Sequence, residues 1–94
     1  MRESQFQKKV IDYLKSKNVW HVKYWAGSQF TKEGVPDILA CIDGTFHGIE
    51  LKTDIGKPSK LQLFNIKKIK ESGGEAYILR PRDFEEWKGE WFLE

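Results

Sequence analysis

The dipeptide Asp43-Gly44, set between two apolar runs, constrains this chain more than any other feature. A two-residue Asp-Gly loop is the strongest short hairpin signal, and it predicts that Ile42 pairs with Thr45, with the opposing positions following rung by rung. That register places Asp37 opposite Glu50. Side chains directly across a ladder have Cβ atoms roughly 4.5–5.5 Å apart, and like charges there are destabilising unless something neutralises them. Successive strand residues alternate faces, so Glu50 and Lys52 share a side while Leu51 points the other way. The same alternation puts His47 on the face opposite Glu50. The spacing therefore predicts an acid, acid, base cluster at Asp37, Glu50 and Lys52.

The remaining elements surround this hairpin. From about Glu3 to Asn18, Phe6, Val10, Tyr13 and Leu14 recur at helical spacing, with Ser4 and Gln7 resembling a capping box. Glu3 then lies at or just before the helix start, near the inward stripe. The β-branched and aromatic run Trp20 to Trp25 predicts a first strand beside the hairpin, and the polar, glycine-bounded stretch 27–34 predicts a surface loop. After a loop over 53–58, Ser59 with Gln62 predicts a helix that ends at Gly73-Gly74. Gln62, Ile66 and Ile69 share its inward face. Leu61, Leu63 and Phe64 spread around it more widely than one core contact needs, which predicts a second buried surface such as a dimer interface. Glu75 to Leu79 reads as a fourth strand, and the strand, helix, strand connection favours parallel pairing. A short helix around Asp83 to Trp87, with Asp83 and Glu86 at cap-box spacing, and a tail of Trp91-Phe92-Leu93 packed back on the domain complete the reading. The fold class is α/β, with the order αβββαβ and a mixed sheet flanked by helices.

Ninety-four residues without repeats or linkers describe a single domain spanning 1–94. No apolar run approaches a membrane span, and the first residues carry no apolar signal stretch, so the expected location is intracellular. The single Cys41 excludes an intrachain disulfide and a cysteine zinc cage, and its apolar setting predicts a core position. The net charge of +2 is a weak sign of a polyanionic partner, but Glu85, Glu86, Glu90 and Glu94 crowd one end and leave the first seventy residues more basic. His21 reads as a structural strand histidine. Trp20, Tyr24, Trp25 and Phe30 read mainly as core, with stacking on nucleic-acid bases as the alternative.

Two carboxylates one rung apart suit Mg2+ or Mn2+, hard cations that take oxygen ligands and keep several waters. Such an ion polarises a phosphoryl oxygen and lowers the pKa of bound water, and Lys52 on the same face either orients or deprotonates that water or neutralises developing charge. The plain alternative is a surface hairpin with a solvated Glu50–Lys52 ion pair. Against it stands the apolar character of both strands, where two facing acids need a reason.

Glu3, Gly34-Val35-Pro36-Asp37, Glu50-Leu51-Lys52 and Ser59-Lys60-Leu61-Gln62, followed by Gly73-Gly74, resemble the VRR-NUC family of the PD-(D/E)xK nuclease superfamily over about residues 3–80. The resemblance implies a restriction-endonuclease-like core similar to Holliday junction resolvases. It further implies a metal-dependent DNA endonuclease acting as a homodimer on branched DNA, in the cytoplasm of a bacterial cell or phage-infected host. By motif, Asp37, Glu50 and the Leu51 carbonyl hold the metal, Lys52 takes the catalytic lysine role, Glu3 completes the acidic site through metal or water, and Gln62 stands beside Lys52. A Val-Arg-Arg run is not evident in this chain. A DNA-binding or interaction module that keeps the fold without cleavage is the alternative from another functional class.

Overall fold

A computed structural model describes residues 1–25 and 32–92. The elements run α1 (Glu3–Ser16), β1 (Trp20–Lys23), β2 (Ile38–Ile42), β3 (Thr45–Leu51), α2 (Lys60–Glu71), β4 (Glu75–Leu79), a 3-10 turn (Pro81–Asp83) and α3 (Phe84–Trp91). The four strands lie in the order β1-β2-β3-β4. The β1/β2 and β2/β3 pairs are antiparallel and β3/β4 is parallel. This is the mixed αβββαβ arrangement expected from the sequence, extended by a third helix.

The hairpin register is the anticipated one. Ile42 pairs with Thr45 and Ile38 with Ile49. Asp43 and Gly44 both take positive φ, 51° and 80°, as a turn matching the strand twist requires. Alternation then divides the sheet. Ile38, Ala40 and Ile42 share one face with Ile49 and Leu51, and there they form the main core with Phe6, Val10 and Leu14 of α1, Leu79 of β4, and Phe84 and Trp87 of α3. Tyr13 extends this core by edge-on contacts with Phe84, Trp87 and Phe92. Trp91 and Phe92 thus pack back on the domain as expected; Leu93 lies outside the described residues.

The other face carries α2, which crosses the β3 and β4 half of the sheet. Its close approach depends on Gly48, where a Cβ would stand 2.9 Å from both Ile69 Cδ1 and Pro36 Cγ. Nothing comparable covers the β1 and β2 half among the described residues, and this corrects two expectations. Cys41 is exposed, not core, because it points to the uncovered side while its neighbours Ala40 and Ile42 point to the filled one. Trp20 and Trp25 are likewise exposed, at 64% and 71%. Tyr24 is half-buried, with its hydroxyl donating to the Lys32 carbonyl at 2.9 Å. Phe30, like the rest of the stretch 27–31, lies outside the described residues.

Capping also departs from expectation at two helices. Helix α1 begins one residue before Ser4, and Gln5 Oε1, not Gln7, accepts the Arg2 N–H at 3.0 Å. Asp83 makes no side-chain cap bond to α3; Pro81 opens a 3-10 turn that leads straight into the helix. Asn18 closes α1 in the left-handed conformation, φ 56°, one of the few non-glycine residues that tolerates it.

Gly34 shows why the step before Pro36 is narrow. Its φ is 77°, and a Cβ there would lie 2.6 Å from Leu61 Cγ and 2.8 Å from Asn65 Nδ2. Gly44 also has positive φ but faces open space. Gly34→Ala is therefore expected to lower the unfolding free energy by about 2–4 kcal/mol, combining left-handed strain with overpacking. Gly44→Ala carries only the strain, about 1–2 kcal/mol. Thermal or urea denaturation of both variants checks this, and equal losses would show that contact with α2 is not the constraint.

Candidate active site

The end of the hairpin furthest from its turn is where the acids meet. β2 starts at Ile38, so Asp37 sits just before it, still tied to the sheet: Tyr24 N–H donates to the Asp37 carbonyl at 2.8 Å, and Leu51 N–H donates to Asp37 Oδ2 at 2.9 Å. Continuing the register one rung past Ile38 and Ile49 sets Asp37 across from Glu50. Glu50 is only 2% exposed. It faces α2, and there Gln62 Nε2 donates to Glu50 Oε2 at 3.0 Å. Lys52, two residues along the same face, brings Nζ to 3.5 Å from that same oxygen, with its side chain 16% exposed.

Gln62 is fixed by its position in the helix. Its Oε1 accepts the Ser59 N–H at 2.8 Å while its own N–H donates to Ser59 Oγ at 3.1 Å, a reciprocal capping box. With the amide oxygen committed to the cap, only the amide nitrogen remains to face Glu50. The sequence placed Gln62 inward near the helix start, and there it stands.

Glu50 is unevenly satisfied. Oε2 has two donors, whereas Oε1 is buried with no hydrogen-bond partner among the described residues. Burial pushes its carboxyl up to about 8, the nearby Asp37 carboxyl adds to the shift, and Lys52 opposes it. An unpaired buried oxygen beside a second carboxylate is the arrangement a cation relieves. The donors are hard oxygens, as Mg2+ or Mn2+ prefers. Asp37 and Glu50 are the two side chains here that offer such oxygens, and an ion held by them would take the rest of its shell from water.

Glu3, the first residue of α1, is exposed. Among the described residues no group of three or more His, Cys, Asp or Glu side chains gathers closely enough to hold an ion. His47 lies on the opposite face, fully buried, with Nδ1 2.8 Å from the Tyr77 hydroxyl. His21 is half-buried with Nδ1 2.8 Å from the Val19 carbonyl. One contributor was missed by sequence reasoning: Arg80, just after β4, whose Nη1 donates to the carbonyls of Thr53 and Gly56 at 2.6 and 2.7 Å and so holds the loop between Lys52 and Gln62. The parallel pairing of β3 and β4 was its only sequence signal, because it brings the ends of both strands together.

The raised Glu50 carboxyl fixes a pH dependence. Between about 4.5 and 8 the folded chain holds a proton that the unfolded chain has released, so stability is greatest below the unfolded value and falls as pH rises through this window. In EDTA, the wild type is expected to lose stability from pH 5 to pH 9, and Glu50→Gln to lose less, by roughly 1–3 kcal/mol at the alkaline end. Chemical denaturation at several pH values reads this directly, and parallel curves would show that Glu50 is not the group responsible.

No protein-family model matches the chain, and no curated protein matches it. Solved structures do. One titled "VRR_NUC domain" superimposes with a TM-score of 0.76 at 19% identity, covering 97% of each chain. Hjc from Archaeoglobus fulgidus, described as a Holliday junction resolvase from an archaeal hyperthermophile, superimposes with a TM-score of 0.59 at 22% identity, over 84% of this chain and 69% of that one. The chain therefore has the fold of these two solved structures.

Proposed function

We propose that this chain is a Mg2+- or Mn2+-dependent DNA endonuclease that hydrolyses phosphodiester bonds in branched DNA, such as Holliday junctions, as a homodimer. The observation that carries the reading is the buried, unpartnered Glu50 Oε1 beside Asp37, with Lys52 and Gln62 converging on the other oxygen. In this reading Asp37, Glu50 and the Leu51 carbonyl hold the ion, and Glu3 contributes from the start of α1 through metal or water. A bound divalent ion supplies Lewis acidity toward a phosphoryl oxygen and offsets the two negative charges. Lys52 presents an ammonium at the reacting phosphate, where it stabilises developing charge or positions the attacking water. Gln62, bonded to Glu50 Oε2, would leave Oε1 available to such an ion.

The competing reading is a DNA-binding module that keeps the fold without cleavage, and the lack of a third acidic side chain beside Asp37 and Glu50 among the described residues is the observation in its favour. Labelled four-way, flap, single-stranded and linear duplex DNA, incubated with Mg2+, Mn2+ or EDTA, separates the two. Cleavage is expected with either metal and to fall by about a hundredfold or more in Asp37→Ala and Lys52→Ala. Gln62→Ala, which removes the group orienting Glu50 together with its half of the α2 cap, is expected to lose about 10- to 100-fold. Binding without cutting in every metal favours the module.

Dimerisation draws support from the uncovered half of the sheet. Trp20, Cys41 and Phe46 line up across three strands, with Val22 two rungs away on the same face, and Leu61 and Phe64 of α2 are exposed at 43% and 54%. Apolar groups gathered on one face mark an association surface, and a second copy with the same face satisfies both. Light scattering is expected to give twice the 11.1 kDa chain mass, and Phe46→Glu to give the single chain. An unchanged mass in the variant would place the interface elsewhere.

A further inference from the structure

The loop between Lys52 and Ser59 presents one isoleucine to solvent from an unusually well-held turn. Ile55 is 91% exposed, far more than the apolar residues of the sheet and α2 surface, and it stands apart from them. Isolated exposed apolar side chains are common and usually mean little. Here the backbone carrying it is fixed at four points. Arg80 clamps the carbonyls of Thr53 and Gly56, Gly56 N–H returns to Thr53 Oγ1 at 3.0 Å, and Asp54 Oδ1 accepts the Arg82 N–H at 3.2 Å. The turn also folds back on the candidate catalytic lysine: a Cβ at Gly56 would lie 3.5 Å from Lys52 Cδ.

Folding alone gives little return for this arrangement, since ordering a loop costs about 1–2 kcal/mol per residue and its tip buries nothing. The ends of the loop are Lys52 and the Ser59–Gln62 cap, so its tip has a defined position relative to the Glu50 carboxylate. A cleft of about 310 Å³ opens beside the tip, lined by Met1, Thr53, Asp54, Ile55 and Pro81. Exposed Lys57 follows two residues later, where it can meet a phosphate.

We propose that loop 53–58 is a rigid wedge, with Ile55 inserting between stacked bases next to the cleavage site and the adjoining cleft receiving the displaced base. Apolar wedges of this kind unstack a base step at a cost of a few kcal/mol, which is lowest where stacking is already interrupted, as at a branch point. The wedge thus selects branched over continuous duplex DNA. The inference rests on the nuclease reading and adds a substrate-selecting residue to it.

The test uses a four-way junction with 2-aminopurine beside the crossover, in Mg2+, with Asp37→Ala to hold the DNA uncut. Fluorescence is expected to rise on binding, to rise equally with Ile55→Leu added, and to stay flat with Ile55→Ser added. In the otherwise wild-type chain, Ile55→Ser is expected to slow junction cleavage about tenfold while leaving cleavage of single-stranded DNA, which has no stack to open, unchanged. So exposed a position leaves the fold intact on substitution. Undiminished junction cleavage and fluorescence in Ile55→Ser would overturn the wedge and leave the nuclease standing. Absence of any DNA cleavage by the wild type would instead remove the nuclease reading, and the wedge with it.

Discussion

A carboxylate that the hairpin register forces into the interior governs the geometry around it. Glu50 cannot leave the sheet without shifting β3 by a residue, which would turn Ile49 and Leu51 out of the core at the same time. Its burial is therefore secured by the apolar residues on either side of it. What remains adjustable is its surroundings, and these have been fitted closely. Gln62 supplies a donor to one oxygen while capping its own helix, so the start of α2 and the orientation of the carboxylate are set by the same side chain. A substitution that loosened the cap would be felt at Glu50, and one that repelled Glu50 would be felt at the helix start.

The two faces of the sheet carry different duties, and the difference begins with coverage. α1 and α3 fill one face with aliphatic and aromatic side chains. α2 alone covers the other, over β3 and β4, with Gly48 and Gly34 allowing it to lie close. The site lies under the start of that single helix, where a polar side chain can reach a buried strand residue and solvent remains near. The uncovered half beside it keeps Trp20, Val22 and Phe46 exposed. A fully covered sheet would have closed the start of α2 off from solvent, and a fully uncovered one could not have buried Glu50.

The order of elements, the pairing and the convergence of Asp37, Glu50, Lys52 and Gln62 were legible in the sequence because each follows from local rules: a two-residue turn fixes register, alternation fixes faces, and Ser59 with Gln62 marks a helix start. The misjudged positions depend on what lies opposite an element, which periodicity does not report. Cys41 and Trp20 have the composition of core residues and sit in good strands, yet their half of that face meets no helix among the described residues. Ser4 with Gln7 had the right spacing but stood two residues too late, since Gln5 already served the Arg2 amide. Arg80 was missed for a related reason. An arginine after a strand is unremarkable until the parallel partner delivers Thr53 and Gly56 to it.

His47 shows that burial alone does not make a site. Its ring is as deeply enclosed as Glu50, and burial lowers its pKa, with Glu75 opposing more weakly. The Trp87 indole can only donate, and it donates to the Tyr77 oxygen at 2.8 Å; Tyr77 in turn satisfies its own proton by donating to His47 Nδ1. The histidine proton then belongs on Nε2, which is buried with no hydrogen-bond partner among the described residues, while the Trp91 ring stands edge-to-face with the imidazole at 4.5 Å. Both buried groups are thus driven toward neutrality by the same loss of solvent. On the aromatic face the neutral form is accommodated against the Trp91 ring, at the cost of that one unpaired N–H. At Glu50 a second carboxyl and a lysine stand close by, so the neutral form is one state of a group that can still ionise, the lysine drawing it toward the carboxylate and the second carboxyl away from it.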